Sequence, residues 1–329
     1  MAKISVTRII HSRTAVFVMF IVAAMATWGA IEQNQAPAIT GDTAIATSSP
    51  ELWISNDMIS FGVNMLLIGL IAIMSVILSK EYNPMKSLSS LFASFFLLFQ
   101  AATPSVLAHF YGGTLTVVVM IAITILLLSN YKCPWNTQRV FLAFFLLMLS
   151  SLAQYSLLLY LPVLILGMVQ MKIFDLRNVI AAILGLITPI WILVGFDLID
   201  FTDFELPQFE SIFMLYEGGD IVSLLFTAGL TIIGGILFLC LNFIRVLTYN
   251  SQIKAANALL TLEMIYTMIL TCIDYNNIYN YLPFLNWLVA YQAGHFYATQ
   301  SVRHSFRSFI GVLIVILVYL MIYAWNLGY

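Results

Sequence analysis

Apolar segments of about 13 to 25 residues recur along the whole chain and are separated by short polar stretches. A helix needs about 20 apolar residues to cross the hydrocarbon core of a bilayer. The pattern therefore predicts an all-α, polytopic transmembrane bundle of about eleven spans, forming a single domain over residues 1–329. The predicted spans are about 14–30, 58–79, 87–103, 105–129, 140–152, 155–171, 178–196, 221–244, 255–273, 279–298 and 308–325.

Composition supports a membrane location. Charged residues make up 9% of the chain and apolar residues 62%, whereas a soluble domain carries roughly 25% charged residues. The hydrocarbon core of a bilayer contains no water to solvate polar groups, so residues that face lipid are apolar. The lipid bilayer is therefore the first predicted partner. The first segment could also be a signal peptide, but it is long and no small-x-small site follows it closely. We therefore expect an uncleaved anchor.

The charges predict the orientation of the bundle. All 13 Lys and Arg residues fall before the first segment or in alternate loops, and 12 of the 15 acidic residues fall in the other loops. Because basic loops stay in the cytoplasm, we expect a cytoplasmic N-terminus and a periplasmic C-terminus in a bacterial inner membrane. The pair of segments over 140–171 could instead be re-entrant, because its first segment is short. Either arrangement leaves the sidedness of later loops unchanged.

Two longer loops are predicted on the outer side, at about 31–57 and 197–220. In the second loop, Phe209, Ile212, Phe213 and Tyr216 follow the spacing of one helix face. This predicts an amphipathic interfacial helix over 207–217. The alternative is an acidic, solvated loop in which the aromatic residues have no common role.

Glu263 is the sharpest candidate for chemistry, because it lies near the middle of a predicted span. An ionisable group at that depth costs a few kcal/mol, about 2.5–3.5 on insertion scales. One hypothesis is a proton or cation relay or a substrate contact. The other is a protonated carboxyl that bonds a neighbouring helix, for example through Asn242, Asn257 or Tyr266.

The four histidines do not predict a metal site, since His109 falls on the outer side and the other three on or near the inner side. His109 could line an outer pocket with Thr103 and Tyr111, or it could be an interfacial histidine. No phosphate-binding or dinucleotide motif is present. We predict no metal, no cofactor and no nucleic-acid partner.

The stretch from Lys172 to Pro189 contains an Arg-Asn pair followed by Gly-Leu-x-Thr-Pro. It resembles a domain of unknown function found in uncharacterised bacterial multi-pass inner-membrane proteins. Some members of that family are automatically labelled carotenoid oxygenases, a chemistry that needs clustered histidines. The family has no established activity to carry over to this chain.

The paired segments resemble, more loosely, O-antigen polymerases and lipid-linked sugar transferases, which place an acidic residue in the first outer loop. The resemblance would give that catalytic role to Asp42, Glu51 or Asp57. Two departures count against it, since the loop has only about 27 residues and no Lys or Arg lies outside to hold a pyrophosphate.

Three functions follow as hypotheses. The favoured one is an assembly or scaffold protein of the cell envelope, whose acidic outer loop contacts another envelope protein. The first alternative is a transferase or polymerase that acts on a polyprenyl-linked lipid. The second is a secondary transporter in which Glu263 relays a proton or cation.

Overall fold

The computed structural model describes residues 13–32, 43–82, 90–199, 202, 204, 206–207, 211–215, 218–298 and 305–328. The described residues are helical and contain no strand. Their α-helices are α1 Arg13–Glu32, α2 Asp57–Glu81, α3 Leu91–Ala101, α4 Pro104–Leu107, α5 Gly112–Leu128, α6 Thr137–Ser151, α7 Leu161–Gln170, α8 Leu176–Gly195, α9 Ile212–Leu215, α10 Gly218–Val246, α11 Ser251–Ile273, α12 Ile278–Ala298 and α13 Ser305–Gly328.

The all-helical fold is confirmed for the described residues. Among these residues, four helices are long and apolar enough to cross a membrane, namely α2, α8, α11 and residues Ile221–Val246 of α10. Side-chain caps set where three of them begin, because Asn56, Asp175 and Asn250 each accept a hydrogen bond from the backbone N–H three residues on. Such a bond satisfies one of the amide groups that a helix start leaves open.

Two predicted segments are less regular than expected. Segment 105–129 is divided into α4 and α5, because Tyr111 is extended (φ −153°, ψ 172°) before Gly112. Segment 155–171 begins as a 3₁₀-helix, Tyr155–Tyr160, and becomes α-helical at Leu161. Pro162 stands in the first turn of α7, where its missing N–H costs least. Shorter 3₁₀-helices also lie at Pro50–Leu52 and Tyr275–Asn277.

Helix α12 lies at the centre of the bundle. Nineteen of its 21 residues are buried, and α3, α5, α10 and α11 pack around it. Its polar side chains must therefore find partners inside the protein. The indole N–H of Trp287 donates to Ser75 Oγ at 2.8 Å, and Asn286 Oδ1 lies 3.2 Å from the hydroxyl oxygen of Thr231.

The loops gather at two opposite ends. At one end, the amide of Lys132, after α5, donates to the carbonyl of Met171, after α7, at 3.0 Å. At the other end, the amide of Ile45 donates to the carbonyl of Leu152, after α6, at 3.0 Å. Helix α6 and the segment Tyr155–Gln170 therefore both extend from the end with Lys132 to the end with Leu152.

Candidate functional site

Glu263 is fully buried and is the thirteenth of the 23 residues of α11. Its Oε1 lies 2.9 Å from the hydroxyl oxygen of Thr124 on α5. Its Oε2 is buried without a hydrogen-bond partner among the described residues. The carboxyl is thus half satisfied, and no described basic side chain forms an ion pair with it.

The contacts of Thr124 indicate which form of the carboxyl fits. Its hydroxyl oxygen also lies 2.7 Å from the carbonyl oxygen of Met120, which can only accept. A threonine hydroxyl has one hydrogen. Both short contacts are satisfied together only when Glu263 carries a proton and donates it to Thr124. A neutral carboxyl is also the form that a dry interior tolerates.

The prediction that Asn242, Asn257 or Tyr266 bonds Glu263 was wrong, because each of these side chains forms a hydrogen bond with another group. Asn242 donates to Gln292 Oε1 at 2.9 Å, and Tyr266 donates to the carbonyl of Leu159 at 2.7 Å. The hydroxyl of Tyr291 donates to Asn257 Oδ1.

A line of polar residues continues along α11 from Glu263 at steps of four, four and three residues. We call Glu263, Thr267, Thr271 and Asp274 the α11 stripe. The hydroxyl of Thr267 donates to the carbonyl of Glu263, and that of Thr271 to the carbonyl of Thr267, each at 2.7 Å. From α7's preceding 3₁₀-helix, Tyr160 donates to Thr267 Oγ1 at 3.1 Å. The stripe is therefore a row of polar side chains on one face of α11, of which Glu263, Thr267 and Thr271 are buried.

The stripe ends at Asp274, the C-cap of α11. The hydroxyls of Tyr155 and Tyr281 donate to its Oδ2 at 2.6 and 2.7 Å, and the amide of Asn277 donates to Oδ1 at 2.9 Å. A carboxylate at a helix C-terminus is opposed by the helix dipole. Three donors offset that cost. From the sequence, Asp274 was counted only among the acidic residues of the outer loops. The presence of Tyr155 and Tyr281 at the ends of two other apolar segments could have indicated hydrogen-bond donors for it.

The acidic candidates of the first outer loop differ in environment. Glu51 Oε1 accepts from the backbone N–H of Gly112 at 2.9 Å, where the start of α5 favours negative charge. Asp57 begins α2 with its side chain 80% exposed, and its Oδ1 lies 3.8 Å from Nδ1 of His109. Asp42 lies outside the described residues.

The proposed outer pocket of Thr103, His109 and Tyr111 stays a prediction. Thr103 and Tyr111 are buried, and the hydroxyl of Thr103 donates to the carbonyl of Gln100 at 3.4 Å. His295 is at the other end of the bundle, where its Nε2 lies 2.9 Å from the hydroxyl of Tyr249. Burial raises the pKa of Tyr249, so this phenol keeps its hydrogen. The two described histidines therefore do not share a site.

Only part of the predicted interfacial helix over 207–217 can be placed. Residues Ile212–Leu215 are helical, and the ring of Phe213 lies 6.3 Å from that of Tyr275. Residues 208–210, 216 and 217 lie outside the described residues, as do most acidic residues of the loop 197–220. The helix and the assembly role built on this loop stay predictions.

Comparison with known protein families, curated proteins and solved structures finds no match to this chain. The resemblance around Lys172 to Pro189 therefore stays a prediction. Function has to be argued from the chain's own residues.

Proposed function

We propose that this chain is a proton-coupled secondary transporter of a bacterial inner membrane, in which Glu263 binds the transported proton. The observation that carries the proposal is a carboxyl halfway along α11, fully buried, with one oxygen lacking a partner in the described residues. An amide could form the same bond to Thr124 without the cost of an ionisable group at that depth. The carboxyl adds the ability to exchange a proton.

We further propose eleven membrane crossings, with the N-terminus in the cytoplasm and the C-terminus in the periplasm. The alternation of basic and acidic loops supports this orientation. The gathering of the Lys132 and Met171 loops at one end, and of Leu152 and Asp274 at the other, is consistent with it. In this orientation the α11 stripe leads from Glu263 towards the periplasm.

The test is electrical recording from proteoliposomes adsorbed on a solid-supported membrane. The purified protein is exposed to a proton jump in the presence of amino acids, sugars or organic acids, one class at a time. Proton-coupled transport gives a transient current that depends on one of these solute classes. We expect Glu263→Gln to lower that current at least tenfold.

Asp175→Asn is the matched control, because it makes the same carboxylate-to-amide change at the N-cap of α8. Asparagine caps a helix as well as aspartate does, so the fold should be retained. The control should keep the wild-type current. A wild-type current that survives Glu263→Gln, or no current with any solute class, would contradict the proposal.

A second candidate function is an enzyme acting on a polyprenyl-linked sugar at the outer end. It is favoured by the pair of Asp57 and His109, an exposed carboxylate beside an imidazole that could exchange a proton with it. Asp57→Asn should then cause lipid-linked sugar to accumulate in the host membrane, while Asp197→Asn should not. Unchanged glycolipids in the Asp57 variant would exclude this site.

A further inference from the structure

Two apolar cavities lie in line between α1 and α13, with α3 as their floor. Their volumes are about 300 and 270 Å³. Leu98 lines both cavities, so they are two parts of one groove, which we call the α3 groove. It extends from Thr14, Leu91 and Val312 at one end to Ala102 and Tyr319 at the other. Its lining is almost entirely hydrocarbon.

The length of the α3 groove fits one acyl chain of a lipid. Its floor is eleven residues long, or about 16 Å at the α-helical rise. One leaflet contributes about 15 Å of hydrocarbon, half of the bilayer core. The groove therefore has the length that one acyl chain occupies in a single leaflet.

In the described parts of α1 and α13, basic residues occur only near the start of each helix. Arg13 is the first residue of α1 and directly precedes Thr14, and Arg307 is the third residue of α13, five before Val312. At the opposite end, α1 finishes at Glu32, and α13 has no Lys or Arg after Arg307. Both helices that wall the groove thus carry a basic residue in their first turn, a pattern complementary to an anionic headgroup.

We infer that the α3 groove is a binding site for an anionic phospholipid of the leaflet on the basic side. One acyl chain lies along α3, and the phosphate is held near Arg13 and Arg307. The site is separate from the α11 stripe, so it does not rest on the transport proposal. A long polyprenyl chain would exceed the groove, which has the depth of one leaflet.

The test is native mass spectrometry of the full chain in mild detergent, titrated with phosphatidylglycerol or phosphatidylcholine of identical acyl chains. We expect the first lipid adduct to form at least fivefold more strongly with phosphatidylglycerol. Equal binding of the two lipids by the wild-type protein would overturn the inference, and this comparison needs no variant to fold.

Two pairs of variants separate the headgroup from the chain. Replacing both Arg13 and Arg307 by Gln should abolish the preference for phosphatidylglycerol. Arg177→Gln, at an exposed position near the start of α8, should keep that preference. Ala15→Trp should fill part of the groove and weaken the binding of both lipids. Ile187→Trp, on the exposed face of α8, should leave their binding unchanged. Retention of the preference in the double arginine variant, or of full binding in Ala15→Trp, would place the lipid elsewhere.

Discussion

At the scale of single residues, Glu263→Gln should remove the proposed proton binding and leave the stability of the fold nearly unchanged. In Glu263→Gln the side-chain amide can still donate to Thr124 Oγ1, so a hydrogen bond replaces the one seen at 2.9 Å. We expect the free energy of unfolding to change by less than about 1 kcal/mol, the size of one ordinary hydrogen bond. Thermal denaturation in detergent measures this. A large loss of stability would mean that the carboxyl is structural.

Gly185 gives a second residue-scale prediction. A Cβ atom there would lie 2.6 Å from the carbonyl oxygen of Phe141 and 3.0 Å from the amide nitrogen of Phe145, on the facing helix α6. Gly185→Val should therefore force α6 and α8 apart and cost about 1–3 kcal/mol. Gly229→Val is the control, since nothing lies within 4 Å of its added Cβ. Equal melting temperatures for the two variants would refute close packing at Gly185.

Sequence reasoning at this scale could locate Glu263 but not its partner. Its depth follows from its position within one apolar segment. Its partner Thr124 lies 139 residues away, and the pairing depends on how α5 and α11 are rotated against each other. Both helices are apolar on several faces, so periodicity does not fix that rotation. The close approach at Gly185 was predictable because Ala181 and Gly185 form a small-residue pair.

At the scale of elements, Asp274 connects three pieces of the chain. Tyr155 begins one 3₁₀-helix, Asn277 ends another and Tyr281 lies in α12. Tyr155→Phe and Tyr281→Phe should each remove one donor to a carboxylate and cost about 1.5–3 kcal/mol. A double-mutant cycle between Tyr155→Phe and Asp274→Asn should give a coupling energy above about 0.5 kcal/mol. The readout is thermal unfolding, and additive effects would show that the bond contributes nothing.

The boundaries of most elements were predictable, and the exceptions have local causes. Apolar runs and caps such as Asp175 determine where long helices lie. The break before α5 is harder to read, because residues 106–111 are apolar or aromatic apart from His109. It is stabilised by distant groups: the amide of Phe110 donates to Ser60 Oγ at 2.7 Å, and that of Gly112 to Glu51. Such tertiary bonds override a local helical preference.

At the scale of the whole molecule, the packing of several loops agrees with the charge pattern on which of them share an end of the bundle. Basic residues were assigned to alternate loops without knowledge of which loops touch. The structure then places the carbonyl oxygen of Pro134, in one of those loops, 3.0 Å from the side-chain nitrogen of Asn178, in the first turn of α8 directly after another of them. It brings Tyr155 and Asp274 together at the other end. The sequence could not predict which helices surround α12, although its tyrosines and asparagines distinguish it from the more apolar α3 and α5.

Cysteine labelling tests which end faces outward. In a variant with Cys133, Cys240 and Cys272 replaced by Ser, single cysteines are placed at Lys172, Asp197 or Tyr275, which are all exposed. A membrane-impermeant maleimide should label Asp197→Cys and Tyr275→Cys in intact spheroplasts, because their loops carry the acidic residues. Lys172→Cys should react only after the membrane is opened, since basic loops stay in the cytoplasm. The reverse pattern would invert the orientation, and it would direct the α11 stripe from Glu263 towards the cytoplasm. Labelling of all three from outside would mean that the two ends of the bundle do not lie on opposite sides of the membrane. The proposed crossings would then have to be withdrawn.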